Sequence, residues 1–100
     1  MPSLIAKSFL DPKGSVVASG QRLAEGVIKS LRETSGPVVI DLHDMPPVAS
    51  SYFNVVFLAV AQALGADAIG RLHWQAPLPM IDKLIQRSRD AALARVAALR

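Results

Sequence analysis

Cysteine is absent from this chain of 100 residues. Without thiols it can form neither a disulfide framework nor a thiolate zinc site, and nothing in it requires an oxidising compartment. Long apolar runs are also scarce, because the longest mostly apolar segment, residues 55–61, is far shorter than the roughly 20 residues of a membrane span. Residues 1–7 lack the basic stretch and apolar run of a secretory signal. We therefore expect a cytoplasmic protein that does not insert into a membrane.

Charged residues are few, at 19% of the chain, against 51% hydrophobic residues, which is the opposite of the composition of disordered chains. The length suits one domain with one core. The net charge of +3 is uneven, since residues 71–100 carry six basic and two acidic groups and residues 1–70 carry five and six. A solvated helix face explains the basic segment better than nucleic acid does, because no aromatic-interleaved basic stripe accompanies it. We predict a single domain, residues 1–100, that does not bind nucleic acid.

The first half of the chain predicts strands around one helix. Residues 4–10 form a short apolar run closed by proline and glycine turn residues, which favours a strand, and residues 16–17 favour a brief second one. Apolar residues at helical spacing then predict a helix capped by Ser19 and ended by a Gly-Pro pair. Residues 38–42 are β-branched and continuously apolar before and after one aspartate, which is typical of a central strand covered on both faces.

The second half predicts a helix that opens at Ser50 or Ser51 and ends near Gly65, a weaker strand at residues 70–74, and a long C-terminal helix. Along that last helix one stripe is formed by Ile81, Leu84, Ile85, Ser88, Ala92, Val96 and Leu99. The order β-α-β-α-β-α predicts a small α/β sandwich with a mostly parallel sheet of three or four strands covered by helices.

Ligand sites in such sheets gather at the carboxyl ends of the strands. There the chain places its one cluster of side chains capable of chemistry: His43, Asp44, Ser50, Ser51, His73 and Trp74. A small serine hydrolase or transferase would use Ser51, His43 and Asp44, with His73 at hand. No glycine-bracketed nucleophile turn is present, and adjacent residues on a strand end should point apart. We therefore predict no catalytic residue.

Metal and cofactor sites are not predicted either. The two histidines have neither HxH nor HxxxH spacing, and no glycine-rich loop opens a helix. His73 and Trp74 are most simply a half-buried packing pair in which the indole N–H finds an acceptor.

Ser50 and Ser51 have two interpretations. One serine can cap the helix by accepting backbone N–H bonds. A phosphate at a helix N-terminus would also gain from unpaired N–H groups and from the positive end of the helix dipole, so both serines are candidate phosphorylation sites.

The second predicted helix is apolar on two sides. One face carries Phe53, Val56, Phe57, Val60 and Leu64, which should lie on the sheet, and the opposite face carries Val55, Leu58 and Ala59. A surface helix of an isolated domain should be more polar than this. With so short a chain, we expect a partner protein to cover the second face.

The central segment resembles the STAS domain, the fold of bacterial anti-sigma factor antagonists, in which a strand ending in Asp leads into an Asp-Ser-Ser-Gly motif at a helix start. In this chain residues 38–42 are followed by Ser50 and Ser51. The closer resemblance is to STAS-like domains of unknown function, in which such a strand precedes Ser-Tyr-Phe, here Ser51, Tyr52 and Phe53. The likeness extends from Leu4 to about Arg89.

The resemblance implies a non-enzymatic regulatory module that docks onto a partner, commonly a histidine-kinase-like (GHKL-type) ATPase that phosphorylates the serine opening the helix. Ser50 matches the phosphorylated serine of the antagonists and Ser51 its neighbour, whereas Ala49 replaces the aspartate of the motif and Tyr52 replaces its glycine. The expected partner surface comprises Asp44, Ser50, Ser51, Tyr52, Val55, Leu58 and Ala59. Pairing of two copies through the second or third helix is compatible with this interpretation.

Overall fold

A computed structural model of the chain describes residues 2–46, 48–75 and 78–98. Three parallel strands, β1 (Ser3–Ile5), β2 (Val38–Asp41) and β3 (Leu72–Gln75), form one sheet in the order β1-β2-β3. The helices are α1 (Val16–Glu33), α2 (Ser50–Leu64) and α3 (Pro79–Ala98), and two 3₁₀ helices cover Ala6–Phe9 and Ala66–Arg71. The predicted α/β class, strand-helix order and parallel sheet are confirmed. No helix in the described ranges is both long and apolar enough to cross a membrane.

One face of the sheet carries the core. Leu4, Ile40 and Trp74 stand in one row across the three strands, and Ile40 is fully buried in a core to which α1 and α2 also contribute. Side chains alternate along a strand, so the next residues point to the other face. There Val39 and Asp41 are only half-buried, and their neighbours on the edge strands are exposed.

The prediction that β2 is covered on both faces is therefore wrong. Successive right-handed crossovers that move in one direction across a sheet place their helices on one face. In agreement with this rule, α1 packs on α2, and α3 packs on α2 rather than crossing to the other face. The continuous hydrophobicity of β2 therefore reflects its central position in the sheet and not a second layer of helices on the other face.

The first strand is shorter than predicted, and the helix after it begins earlier. β1 ends at Ile5, and the chain turns through a 3₁₀ helix that brings the ring of Phe9 over Gly26 of α1, where a Cβ would lie 2.7 Å from Phe9 Cε1. The predicted strand at residues 16–17 is wrong, because these residues form the first turn of α1.

The start of α1 is fixed by a hydrogen-bonded group of three side chains. Ser15 is the N-cap, since its Oγ accepts the N–H of Ala18 (3.2 Å), and the Asp11 carboxylate accepts the N–H of Ser15 (3.0 Å). Ser19, the predicted cap, lies inside the helix. Its buried hydroxyl donates to the Ser15 carbonyl (2.7 Å) and accepts the N–H of Asp11 (2.8 Å). Ser19 thus joins the turn to the helix without capping it.

α2 is the central helix of the molecule. α1 approaches it closely at Gly20, where an added Cβ would lie 3.0 Å from the Tyr52 carbonyl oxygen and 3.1 Å from Val55 Cβ. On the other side α3 presents the predicted stripe, of which Ile85, Ser88 and Ala92 are buried and Ile81, Leu84 and Val96 are half-buried. Leu99 lies outside the described residues. A helix that is apolar all round is expected to be enclosed, and here the enclosure is provided by the chain itself.

Candidate functional site

The loop after β2 is shaped by Asp44. Its backbone adopts a left-handed conformation (φ 58°), which aspartate tolerates better than most residues. The N–H of His43 donates to Asp41 Oδ1 (2.9 Å), and the N–H of Met45 donates to the Leu42 carbonyl (3.2 Å), which closes the turn. The reversal brings His43 Nε2 to 3.0 Å from Asp44 Oδ2. The prediction that these two side chains point apart is therefore wrong.

The candidate catalytic residues are not assembled into a triad. His43 and Asp44 are exposed, and Ser51 is half-buried in the first turn of α2. The hydrogen bonds found among the described residues do not join Ser51 to His43, the contact that a serine nucleophile and its base require. His73 is exposed on the uncovered face of the sheet, whereas Trp74 faces α2. The structure thus separates His73 and Trp74, which sequence reasoning had paired.

Within the described ranges no group of three or more His, Asp or Glu side chains is placed to hold a metal ion. His43 and Asp44 form an isolated pair.

The first turn of α2 has no side-chain cap. Its N-cap is Ala49, with φ −77° and ψ 162°, and Ser50 and Ser51 are already helical. The prediction that one of these serines caps the helix is therefore wrong by one or two positions. Ser50 is exposed, and its carbonyl accepts a hydrogen bond from the buried hydroxyl of Ser88 on α3 (3.4 Å). This bond ties the start of α2 to α3.

Ala49→Asp is expected to raise the free energy of unfolding by about 0.5 to 2 kcal/mol, because Ala49 already has N-cap geometry and lacks only an acceptor. Ala49→Asn should give a similar gain without the charge. Ser50→Ala is the matched control and should change stability by less than about 0.5 kcal/mol, as expected for an exposed position. Urea unfolding measures all three. If Ser50→Ala instead lowered the free energy of unfolding by clearly more than about 0.5 kcal/mol, Ser50 would be the cap of the helix.

The predicted partner-facing side of α2 is largely covered by the chain. Tyr52 is fully buried, and Val55 lies against Gly20 of α1. Leu58 lies beside Ala91, Ala92 and Arg95 of α3 and is half-buried, as is Ala59. The expectation that a partner rather than another element of the chain covers this side is wrong, because α1 and α3 flank α2. Of the predicted partner residues, Asp44 and Ser50 are the most exposed.

An aromatic cluster connects α2 with β3. The rings of Phe53 and Phe57 each lie 5.5 Å from that of Trp74, and Tyr52 packs edge-on against Phe53 at 5.3 Å. Two buried polar atoms of the cluster, Tyr52 Oη and Trp74 Nε1, have no hydrogen-bond partner among the described residues. The predicted acceptor for the indole is therefore not found there. Burial raises the pKa of Tyr52 to about 12.

Tyr52→Phe is expected to stabilise the protein by about 1 to 3 kcal/mol, because it removes a buried hydroxyl that makes no hydrogen bond within the described chain. The folded protein also holds the phenol proton more tightly than the unfolded chain does. The contribution of Tyr52 to the free energy of unfolding should therefore be constant below about pH 10 and should be lost as the pH rises from about 10 to 12.

Urea unfolding between pH 8 and 12 tests both statements, because Tyr52→Phe should lack the additional loss at high pH. A destabilised Phe variant would mean that the hydroxyl has a partner in solution.

Sequence analysis missed an apolar groove at the carboxyl ends of β2 and β3. Its volume is about 600 Å³, and it lies between the loop after β2 and the start of α3. It is lined by Met45, Val48, Leu78, Pro79, Met80, Ile81 and Leu84. Leu78 is 57% and Met80 75% exposed, so two large apolar side chains meet solvent here. The only sign of this groove in the sequence is the pair of apolar residues Leu78 and Met80 on either side of a proline. A short segment of this kind is usually interpreted as a connecting loop.

A second, smaller depression adjoins this groove. Leu84 lines both, and the second is otherwise lined by Ser50, Asn54, Arg87, Ser88 and Ala91. Ser50, the serine that the motif singles out, therefore lines the same depression as Arg87. These two residues are 37 positions apart in sequence, and only the packing of α3 on α2 brings them to one site.

Comparison with known proteins found no matching family model, no matching curated protein and no matching solved structure.

Proposed function

We propose that this protein is a non-enzymatic regulatory module of the cytoplasm that binds a partner protein at the carboxyl edge of its sheet. The observation that carries the proposal is the apolar groove with Leu78 and Met80 on its rim. Isolated domains seldom leave large apolar side chains grouped in a concave surface, and such surfaces are typical of binding sites. Methionine in particular suits a surface that adapts to a partner.

The resemblance of the β2–α2 segment to anti-sigma factor antagonists supports the same function. In that family the partner contacts the helix start, and here the corresponding serine, Ser50, lies beside the groove. A phosphate on Ser50 would carry about two negative charges next to Arg87 and at the N-terminus of α2. Phosphorylation by a histidine-kinase-like ATPase would thus change the charge of the proposed partner surface.

Site-specific photocrosslinking tests the proposed surface. A benzophenone side chain is placed at Met80 and, as a matched control, at Val17, which is also exposed but lies at the start of α1. In the native host, position 80 should crosslink to one protein reproducibly, position 17 should not, and Leu84→Asp should abolish the product. Equal products from both positions would contradict the proposal.

Two further measurements address modification and the rival function. Mass spectrometry of the protein from its native host should detect phosphate on Ser50 rather than Ser51, because Ser50 is the more exposed of the two.

Treatment with a fluorophosphonate should label neither serine. Stoichiometric labelling of Ser51 would instead support the serine hydrolase or transferase, since only an activated nucleophile reacts.

A further inference from the structure

Two depressions lie in the seam between α2 and α3, and the apolar groove adjoins them at the start of α3. The apolar groove and the depression at Ser50 share Leu84, and the depression at Ser50 shares Asn54 and Ala91 with a third one. The third is lined at its far end by Leu58 and Arg95. Along α3 the seam runs from Met80 to Arg95, which at about 1.5 Å per residue is roughly 22 Å.

The shape of the seam suits a helix. A length of roughly 22 Å corresponds to about four helical turns. The middle of the seam is lined by the exposed Ala91, whose small side chain permits close approach of a second backbone. One end offers the apolar groove as an anchor for large side chains. These are the features of a groove that receives one apolar face of an amphipathic helix.

The charge of the seam selects the partner. Arg87 and Arg95 line it, and none of the described residues lining the three depressions is acidic. The acidic residues of α3 are engaged elsewhere: Asp82 accepts a hydrogen bond from Gln86, and Asp90 pairs with Arg89. Among the described residues no carboxylate pairs with Lys83, Arg87 or Arg95.

From this shape and charge we infer that the seam binds an acidic amphipathic helix of the partner protein, with its apolar face in the groove and its carboxylates towards Arg87 and Arg95. The inference rests on the proposed function and adds the chemistry of the partner. Single-stranded nucleic acid would also seek basic residues, but it gains from aromatic side chains on which bases stack. The described lining of the seam contains none.

A synthetic helix of about 16 residues tests the inference on the full chain. It carries leucines at positions i, i+3, i+4 and i+7 and glutamates two turns apart, and a second peptide has lysines in place of the glutamates. Amide shifts of the ¹⁵N-labelled protein should change along α2 and α3 on addition of the acidic peptide. Its affinity should exceed that of the basic peptide by about tenfold or more at low salt and should fall with added salt.

Charge reversal supplies the matched variants. Arg87→Glu with Arg95→Glu should weaken the acidic peptide by about tenfold and strengthen the basic one. Arg22→Glu with Arg32→Glu makes the same change of net charge on exposed positions of α1 and should have little effect. Circular dichroism confirms that both double variants fold.

Any of four results would overturn the inference. They are equal affinity of the two peptides, equal effects of the two double variants, amide shifts confined to other surfaces, and displacement of the peptide by a 20-nucleotide RNA. If the acidic peptide does not bind but position 80 crosslinks specifically, the proposed function stands and an acidic helix is excluded as the bound segment. If the peptide binds in the seam but position 80 gives no specific crosslink, the seam binds acidic helices and the proposed function is contradicted.

Discussion

Ile40→Ala is expected to lower the free energy of unfolding by about 2 to 5 kcal/mol, the usual cost of removing a large buried aliphatic side chain. Ile40 has no exposed surface and stands between Leu4 and Trp74 in the middle of the sheet. Domains of this kind have a total stability of about 5 to 15 kcal/mol, so this loss removes a large share of it. Urea denaturation measures the loss.

Val39→Ala is the control for that experiment. It lies on the same strand but on the uncovered face, where it is half-buried, and it should cost clearly less than Ile40→Ala. Equal costs would mean that the second face of the sheet is covered in solution, for example by another copy of the chain.

Arg71→Ala is expected to cost about 1.5 to 3 kcal/mol, the range for hydrogen bonds made by a charged group. Arg71 Nε donates to the Gly36 carbonyl (3.1 Å), and its Nη2 donates to the carbonyls of Leu31 (3.1 Å) and Thr34. Leu31 and Thr34 are at the C-terminal end of α1, where carbonyls lack partners within the helix. The Arg71 side chain thus bonds the carbonyls at and just after the end of α1 and ties this end of the helix to the start of β3.

Arg71→Lys should recover only part of this loss, because an ammonium group cannot reach three carbonyls with the planar set of donors that a guanidinium offers. Arg32→Ala, an exposed position on α1, should stay within about 0.5 kcal/mol of the parent. If Arg71→Lys were as stable as the parent, charge at the helix end rather than hydrogen-bond geometry would be the source of the stabilisation.

Sequence reasoning succeeded where a local pattern determines the element. Residues 38–42 predicted β2 to within one residue, and the serine pair predicted the start of α2. The stripe of α3 was predicted from helical spacing alone and is buried or half-buried throughout its described part. In each case the apolar periodicity and the boundary residues point to the same structure.

It failed where the answer depends on residues far apart in sequence. Nothing near Arg71 indicates that it reaches carbonyls 35 to 40 residues away. The apolar faces of α2 correctly signalled burial, but the sequence did not show that α1 and α3 provide it. Ser50 and Arg87 likewise share a depression only because α3 folds back along α2. Local signals predict elements, and the candidate site arises from their packing.

The placement of α3 has a consequence for how the protein opens. α3 packs on α2 and on the 3₁₀ helix Ala66–Arg71, and it contributes three buried residues, whereas α1 and α2 contribute six each. Segments with fewer core contacts open locally at a lower free energy than the whole domain. We expect the amide hydrogens of α3 to exchange with deuterium before those of α1 and β2. Since one wall of the seam is α3 itself, a bound helix would slow that exchange, and amide protection in α3 would report occupancy of the seam directly.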